Sequence, residues 1–208
     1  QLLAQRTGCQ LRHVGLTEDG RLDLDDFRAK LSDRTRLVSL VHVSNTLGCC
    51  NPLAEVIPAA HQVGALVLVD ACQSLAHQPI NVSDLNADFL VGSSHKLCGP
   101  TGMGFLWARE ALLEAMPPFL GGGEMIQDVF LDSSSWADLP HKFEAGTPAI
   151  GEAVGMGVAL RYLQDIGLKA IQSWEAELTR HLFARLEAID GVRILGPTPD
   201  QQPERGAL

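Results

Sequence analysis

The stretch 66-LVLVDACQ-73 decides the fold, because an unbroken apolar run ends there on an acidic residue. Residues 66–69 are all apolar, which is typical of a parallel strand buried on both faces of a sheet. A second run of the same kind, residues 89–91, leads into 92-GSSHK-96. Residues 71–88 are long enough for a crossover connection, so the sequence predicts an α/β fold with a mainly parallel sheet.

Polar side chains follow both of these predicted strands. Asp70 and Gln73 come after the first strand, and Ser93, His95 and Lys96 come after the second. In open α/β sheets, ligands bind in the crevice outside the carboxyl ends of the strands. The sequence therefore predicts that a carboxylate, an amide, a hydroxyl, an imidazole and an amine converge on one site.

This set of groups suits a pyridoxal phosphate cofactor. A carboxylate such as Asp70 can hold the pyridine nitrogen of that cofactor, and a lysine such as Lys96 can form a covalent imine with it. Ser93 and His95 would offer donors to the phosphate, and Gln73 would lie within reach of the ring. Each residue also has an ordinary interpretation, since strand-end aspartates often form turns and loop lysines are usually solvated charges.

Longer motifs surround these residues and continue beyond them. They are 69-VDACQSLAHQP-79, 88-DFLVGSSHKLCGPTGMGFLWARE-110, 119-FLGGGEMIQDVFLD-132 and 143-FEAGTPAIGEA-153. Together they closely resemble the Suf-type (group II) cysteine desulfurases of the class V aminotransferase family, most of all the cyanobacterial and plastid kind. The resemblance runs essentially from end to end, and SHKLCGPTG combined with FEAGTP is far more specific than a lone glycine motif.

The resemblance implies the pyridoxal phosphate-dependent fold type I, which is aspartate aminotransferase-like, with one antiparallel strand in the sheet. It also implies that Lys96 is the catalytic lysine that carries the cofactor. Asp70 and Gln73 would then hold the pyridine nitrogen and the phenolic oxygen.

The remaining implied cofactor contacts are to the phosphate and the rim of the site. By resemblance, Ser93 and His95 bind the phosphate together with Thr147, which acts in the site of the partner subunit. Asn45 lines the cofactor. No metal site is implied.

The implied reaction converts L-cysteine to L-alanine and passes the sulfur on as a persulfide for iron–sulfur cluster assembly. The implied partners are a second subunit in a homodimer and a sulfur-acceptor protein of the Suf system. In the family, the nucleophilic cysteine and the arginine that binds the substrate carboxylate lie beyond the matching segment. We therefore expect a fragment that is inactive alone, in which Cys72 and Cys98 are packing residues rather than nucleophiles.

The chain is predicted to change character near Gly151. Residues 1–150 are expected to be part of the large cofactor-binding domain, and residues 151–208 to form two linking helices and the beginning of a small C-terminal domain. The connection after Lys96 is so short that the strand following it should run antiparallel. Other strands are predicted at 9–16, 36–45 and 191–197, and an irregular segment at 127–148.

Composition excludes several classes of function. The net charge of −9 and the absence of a Lys/Arg cluster disfavour nucleic-acid and anionic-membrane partners. The 5 cysteines show no C-x-x-C spacing, which disfavours a structural zinc site or a disulfide framework and favours a reducing compartment. We expect a cytoplasmic protein, or a stromal one in a plastid, with no signal peptide or membrane span.

Two alternatives remain open at this point. Another class V enzyme, such as a selenocysteine lyase, an epimerase or a transaminase, would share the Asp, Gln and Lys constellation. A non-catalytic scaffold fragment would share the fold but would not hold the cofactor. A P-loop NTPase and an H-E-x-x-H metalloprotease are disfavoured because neither motif is present.

Overall fold

A four-stranded sheet forms the centre of the chain in the computed structural model, which describes residues 1–207. The first three strands run parallel, and the fourth pairs antiparallel with the third. This topology confirms the predicted α/β fold with a mainly parallel sheet and one antiparallel strand. In sequence and in space the order is β1 (Leu37–Val41), β2 (Leu66–Asp70), β3 (Phe89–Ser93) and β4 (Gly104–Ala108).

The register brings the carboxyl ends of the parallel strands level with one another. Val41 is the partner of Asp70, and Asp70 is the partner of Val91. The segments that follow β1, β2 and β3 therefore leave the sheet on the same side, which we call the carboxyl edge; the opposite side is the amino edge. β4 returns from the carboxyl edge, since Gly104 pairs with Ser93.

β1 is shorter and more exposed than predicted. The pattern of residues 36–45 predicted a strongly buried strand, but β1 ends at Val41, and Leu37 is 49% exposed. The reason is that, among residues 1–207, β1 is the first strand of the sheet and pairs with β2 alone. An apolar run does not show whether a strand lies at the centre or at the side of a sheet.

Helices cover the sheet and extend past it. In the described chain they are α1 (Leu2–Thr7), α2 (Leu24–Lys30), α3 (Leu53–Gln62), α4 (Val82–Leu85), α5 (Glu110–Ala115), α6 (Ile150–Ile166) and α7 (Leu168–Glu187). Asp23 fixes the start of α2, because its side chain accepts hydrogen bonds from the backbone N–H groups of Asp25 and Asp26. Gly167 separates α6 from α7 with a φ of 89°, a conformation that favours glycine.

The main core lies between α3 and the central strands. α3 buries residues at steps of three and four, as an amphipathic helix should, and these meet the apolar side chains of β2 and β3. Burial of one such side chain contributes about 1.5–3 kcal/mol. The buried members are Leu53, Ile57, Ala60, Ala65, Val67, Val69, Ala71, Ala87 and Leu90.

A second core cluster joins α6 to the turn after β3. Leu97 is 1% exposed and packs with Ala76, Met156 and Leu163. A Cβ atom added to Gly155 of α6 would lie 3.1 Å from Cγ of Pro100, so the helix approaches this turn closely. The packing of α6 therefore holds the turn that contains Lys96.

Three local predictions were wrong. Residues 9–16 do not form a strand and contribute only the isolated bridge between Leu16 and Leu22, and residues 191–197 form a loop. Alternating apolar residues make a strand only where a neighbouring strand is available for pairing. The segment predicted to be irregular contains a hairpin of β5 (Ile126–Val129) and β6 (Ser134–Trp136).

The C-terminal residues pack against the loop that follows β1. Gln202 is buried, and its side chain both accepts from the backbone N–H of Cys50 at 2.9 Å and donates to the Cys50 carbonyl at 2.7 Å. Gly206 donates its backbone N–H to the Gly48 carbonyl at 2.7 Å. The division of the chain near Gly151 falls at the start of α6 and stays a prediction.

Membrane insertion has no candidate segment in the helices of residues 1–207: each is too short or too polar to reach across a bilayer.

Candidate active site

Asp70 ends β2 at the carboxyl edge and keeps most of its hydrogen-bonding capacity free. Its Oδ1 atom accepts the backbone N–H of Cys72 at 2.9 Å, and the Cys72 thiol also donates to the carboxylate. Among the described residues, no lysine, arginine or histidine forms an ion pair with Asp70. A half-buried carboxylate with open lone pairs is able to accept a hydrogen bond from a ligand.

Lys96 lies at the end of a 3-10 turn, Ser94–Lys96, that follows β3 directly. Its Nζ atom makes no hydrogen bond or ion pair with any side chain of residues 1–207. The turn itself is rigid, because Leu97 and Gly99 donate their backbone N–H groups to the Ser94 carbonyl at 2.8 and 3.0 Å. The structure thus presents an unpaired amine on a well-anchored backbone.

The pKa of the Cys72 thiol responds to the charges of both Asp70 and Lys96. Burial, the hydrogen bond to Asp70 and the negative charge of that carboxylate raise the pKa of the Cys72 thiol to about 11, while the positive charge of Lys96 acts in the opposite direction. One thiol therefore senses both charged groups. At neutral pH it is protonated, which agrees with the expectation that Cys72 is not a nucleophile.

The other predicted site residues of this edge lie at the end of β3 or in the segments that follow β1, β2 and β3. The hydroxyl of Ser93 and Nδ1 of His95 lie 2.9 Å apart. Gln73 is half-buried, and its side-chain amide makes no hydrogen bond within the described chain. Asn45 is exposed after β1, where its Oδ1 atom accepts from the Thr46 hydroxyl at 3.4 Å.

Thr147 is not joined to this group. It is exposed in the loop before α6 and makes no hydrogen bond to the other predicted site residues in the part of the chain that the structure describes. Its predicted role lies in the site of a partner subunit, so a single chain does not test that role.

Close packing stabilises the strand that leads to Lys96. A Cβ atom on Gly92 would lie 2.5 Å from the ring of Phe105 and 2.7 Å from Leu75, so only glycine fits there without displacement. Ser94 is fully buried, and its hydroxyl has no hydrogen-bond partner among the described residues. That hydroxyl is inaccessible and is not a ligand donor in this conformation.

Sequence reasoning missed the position of Cys72 in this site. It treated Cys72 as a small packing residue, whereas the structure bonds its backbone N–H to the Asp70 carboxylate and exposes its thiol to the charges of Asp70 and Lys96. The available signal was its position two residues after a strand-end aspartate, where a backbone N–H can turn back onto the carboxylate.

The donor set fits pyridoxal phosphate. An uncommitted amine, a carboxylate with a free oxygen, an unpaired amide and a hydroxyl–imidazole pair lie in the turns at one edge of a parallel sheet. These are the groups that this cofactor requires for its aldehyde, its pyridine nitrogen, its phenolic oxygen and its phosphate. In contrast, residues 1–207 contain no group of three or more His, Cys, Asp or Glu side chains arranged to hold a metal ion.

Comparison with known proteins gives one family and consistent relatives. The profile of the family Aminotransferase class-V matches residues 1–207. A probable cysteine desulfurase of Synechocystis sp. is 52% identical over 208 residues, which are 100% of this chain and 49% of that protein. The chain thus spans about half the length of the curated relatives that it matches.

Solved structures agree with the sequence comparison. The apo structure of cysteine desulfurase from Thermococcus onnurineus NA1 has a TM-score of 0.88 and 38% identity, with 99% of this chain and 51% of that chain covered. A lysine-to-alanine variant of C-DES with glycine covalently linked to its PLP cofactor has a TM-score of 0.86 and 25% identity, with 99% and 55% covered.

Proposed function

The chain belongs to the class-V aminotransferase family, and on that premise we propose that it is part of a pyridoxal phosphate-dependent cysteine desulfurase. The proposed reaction converts L-cysteine to L-alanine and passes the sulfur on as a persulfide. The observation that carries the proposal is the register of β2 and β3, which brings Asp70 and the turn that holds the Lys96 amine to the same edge of the sheet. The relatives named cysteine desulfurase support the choice of substrate.

In this proposal each residue of the carboxyl edge binds a different part of the cofactor. Lys96 holds it covalently, Asp70 accepts a hydrogen bond from the pyridine nitrogen, and Gln73 donates to the phenolic oxygen. Ser93 and His95 bind the phosphate. Asn45 lines the site, and Thr147 completes the phosphate contacts of a partner subunit.

Bound pyridoxal phosphate supplies an electron sink for negative charge that develops on the substrate. The residues of this chain then have two tasks. The Asp70 carboxylate would accept a hydrogen bond from the pyridine nitrogen and so favour its protonated form. The Lys96 amine would move the proton of the substrate α-carbon at its Nζ atom.

The sulfur-accepting thiol is not assigned to Cys72 in this proposal. Its pKa of about 11 leaves too little thiolate at neutral pH for rapid attack on the substrate sulfur. We also propose that the enzyme is a homodimer that delivers sulfur to an acceptor protein of the Suf system.

A titration with pyridoxal phosphate tests the proposal. The protein should develop a visible absorption band at stoichiometric cofactor, and sodium borohydride should fix the cofactor to a peptide that contains Lys96. Lys96→Ala should lose both signals, because no other amine occupies that turn. Lys30→Ala is the matched control, since Lys30 is paired with Asp26 and supports the scaffold. A band that survives Lys96→Ala, or is missing from the wild type, would contradict the proposal.

A further inference from the structure

His42 lies one residue beyond β1 and contacts the turn that follows β2. Its backbone N–H donates to the Asp70 carbonyl at 2.8 Å, which continues the pairing of the two strands. Its Nδ1 atom lies 3.0 Å from the Ser74 hydroxyl, and its Nε2 atom lies 3.4 Å from the Gln78 side-chain nitrogen. His42 is thus bonded to both ends of the segment from Asp70 to Ser74.

These side-chain contacts form a chain of hydrogen bonds in which each group donates to the next. The amide nitrogen of Gln78 can only donate, so Nε2 of His42 is the acceptor and Nδ1 carries the hydrogen. Nδ1 therefore donates to the Ser74 hydroxyl, and that hydroxyl donates to the Ala71 carbonyl at 3.2 Å. With this assignment, each donated hydrogen of the three side chains has an acceptor.

The hydrogen-bond chain from Gln78 to the Ala71 carbonyl contains only neutral groups. Burial lowers the pKa of the His42 imidazole, so the ring is uncharged at neutral pH. The Ser74 side chain is fully buried, which prevents water from replacing its partners. A buried hydrogen-bond chain of this kind restrains the groups that it connects.

The restrained segment is the one that matters for the proposed site. It begins at Asp70 and contains Gln73, while Asn45 follows His42 by three residues. Ser74 is also the hub of the turn, because its backbone N–H donates to the Ala71 carbonyl and its own carbonyl accepts from His77 and Gln78. A shift of Ser74 would therefore move Gln73 relative to Asp70.

We propose that His42 is a positioning residue which, through the Ser74 hydroxyl, holds Asp70 and Gln73 in the orientation that binds pyridoxal phosphate. This assignment rests on the proposed function for its ligand, but the restraint itself does not. It goes beyond a packing role for the half-buried His42 ring, because it gives the side chain an effect on the ligand.

Cofactor affinity tests the assignment. His42→Leu and Ser74→Ala should each weaken pyridoxal phosphate binding about tenfold, the loss expected for one misplaced hydrogen-bonding group. The double variant should be no weaker than the single variants, since both remove one shared interaction. His42→Asn should recover most of the affinity, because its amide nitrogen stands as many bonds from Cβ as Nδ1 does.

His61→Leu is the matched control. His61 is also half-buried and hydrogen-bonded, but it contacts Asp88 at the amino edge of the sheet. This variant should lower the melting temperature and leave cofactor affinity unchanged. If His61→Leu weakened binding as much as His42→Leu, or if His42→Leu bound within twofold of the wild type, the assignment would be wrong.

Amide hydrogen exchange tests the restraint without cofactor. The backbone N–H groups of Cys72 and Leu75 are bonded within the turn, and they should exchange about tenfold faster in Ser74→Ala and His42→Leu but not in His61→Leu. Unchanged exchange would overturn the assignment. Faster exchange in a protein whose wild type binds no pyridoxal phosphate would overturn the proposed function and not the restraint.

Discussion

Asp70 and Asp88 lie at opposite edges of the same sheet, and their carboxylates differ in how many hydrogen bonds they accept. Asp88 precedes β3 at the amino edge and is 5% exposed. Its carboxylate accepts from the backbone N–H of Val67 at 2.7 Å, from Nε2 of His61 at 2.8 Å and from Nε of Arg109 at 3.0 Å. Within residues 1–207, the carboxylate of Asp70 at the carboxyl edge receives hydrogen bonds from Cys72 alone.

The difference shows that the carboxylate at one edge of the sheet stabilises the fold, while the carboxylate at the other edge is available to a ligand. A buried carboxylate destabilises a fold unless hydrogen bonds and opposite charges replace the water that it loses, and Asp88 has both. Asp70 is left with unused acceptor capacity in a half-buried position. The amino edge is therefore closed by its own side chains, whereas the carboxyl edge has groups available for a ligand.

The largest expected effect on the free energy of unfolding comes from removing the buried carboxylate of Asp88. Asp88→Ala should lower the free energy of unfolding by about 3 kcal/mol, because the Val67 N–H and the Arg109 guanidinium lose their acceptor. Asp70→Ala should cost less than about 1 kcal/mol, since only one residue loses a partner. Urea denaturation measures both changes, and equal losses would show that the two edges do not differ in this way.

A smaller effect of opposite sign is expected beside Lys96. Ser94→Ala should leave the free energy of unfolding unchanged or raise it by about 1 kcal/mol, because the buried Ser94 hydroxyl has no partner among the described residues. Ser74→Ala removes a bonded hydroxyl and should destabilise the fold by about 1 kcal/mol. Thermal unfolding of the two variants provides the measurement. A loss in Ser94→Ala as large as in Ser74→Ala would indicate that Ser94 has a partner.

The smallest expected effect is a pH dependence at His42. Its pKa in the folded state is lowered from 6.5 by burial, so the unfolded chain takes up a proton there first as the pH falls. The associated stability is fully present above pH 6.5 and is lost as the pH falls through the folded-state pKa. His42→Asn should show a flatter decline in the free energy of unfolding over that window. Identical slopes for the wild type and the variant would rule out this contribution.

The sequence predicted the parts of the fold that depend on short-range patterns. The run from Leu66 to Val69 identified a buried strand, and the short connection after Lys96 required an antiparallel neighbour; both predictions were confirmed. The prediction for residues 9–16 was wrong, because strand formation depends on a partner that local pattern does not reveal. For the same reason, the exposure of β1 and the β5–β6 hairpin were missed.

The candidate site was predictable in its position and less so in its details. Asp70 and Lys96 could be placed because strand ends are visible in the sequence as changes from apolar to polar residues. The bond between His42 and Ser74 joins residues from different strand ends, and no motif marks it. The roles of Asn45, Gln73, Ser93, His95 and Thr147 toward the cofactor remain predictions.

The paired hydrogen bonds between Gln202 and Cys50 also determine when, during synthesis, the loop after β1 can form its final contacts. These two residues are 152 positions apart, so the loop after Asn45 receives this support only when residue 202 has left the ribosome. Domains begin to fold during synthesis from their N-terminal parts. The strands that bear Asp70 and Lys96 can therefore pair before Gln202 is synthesised, whereas the loop after Asn45 gains its hydrogen bonds to Gln202 only afterwards.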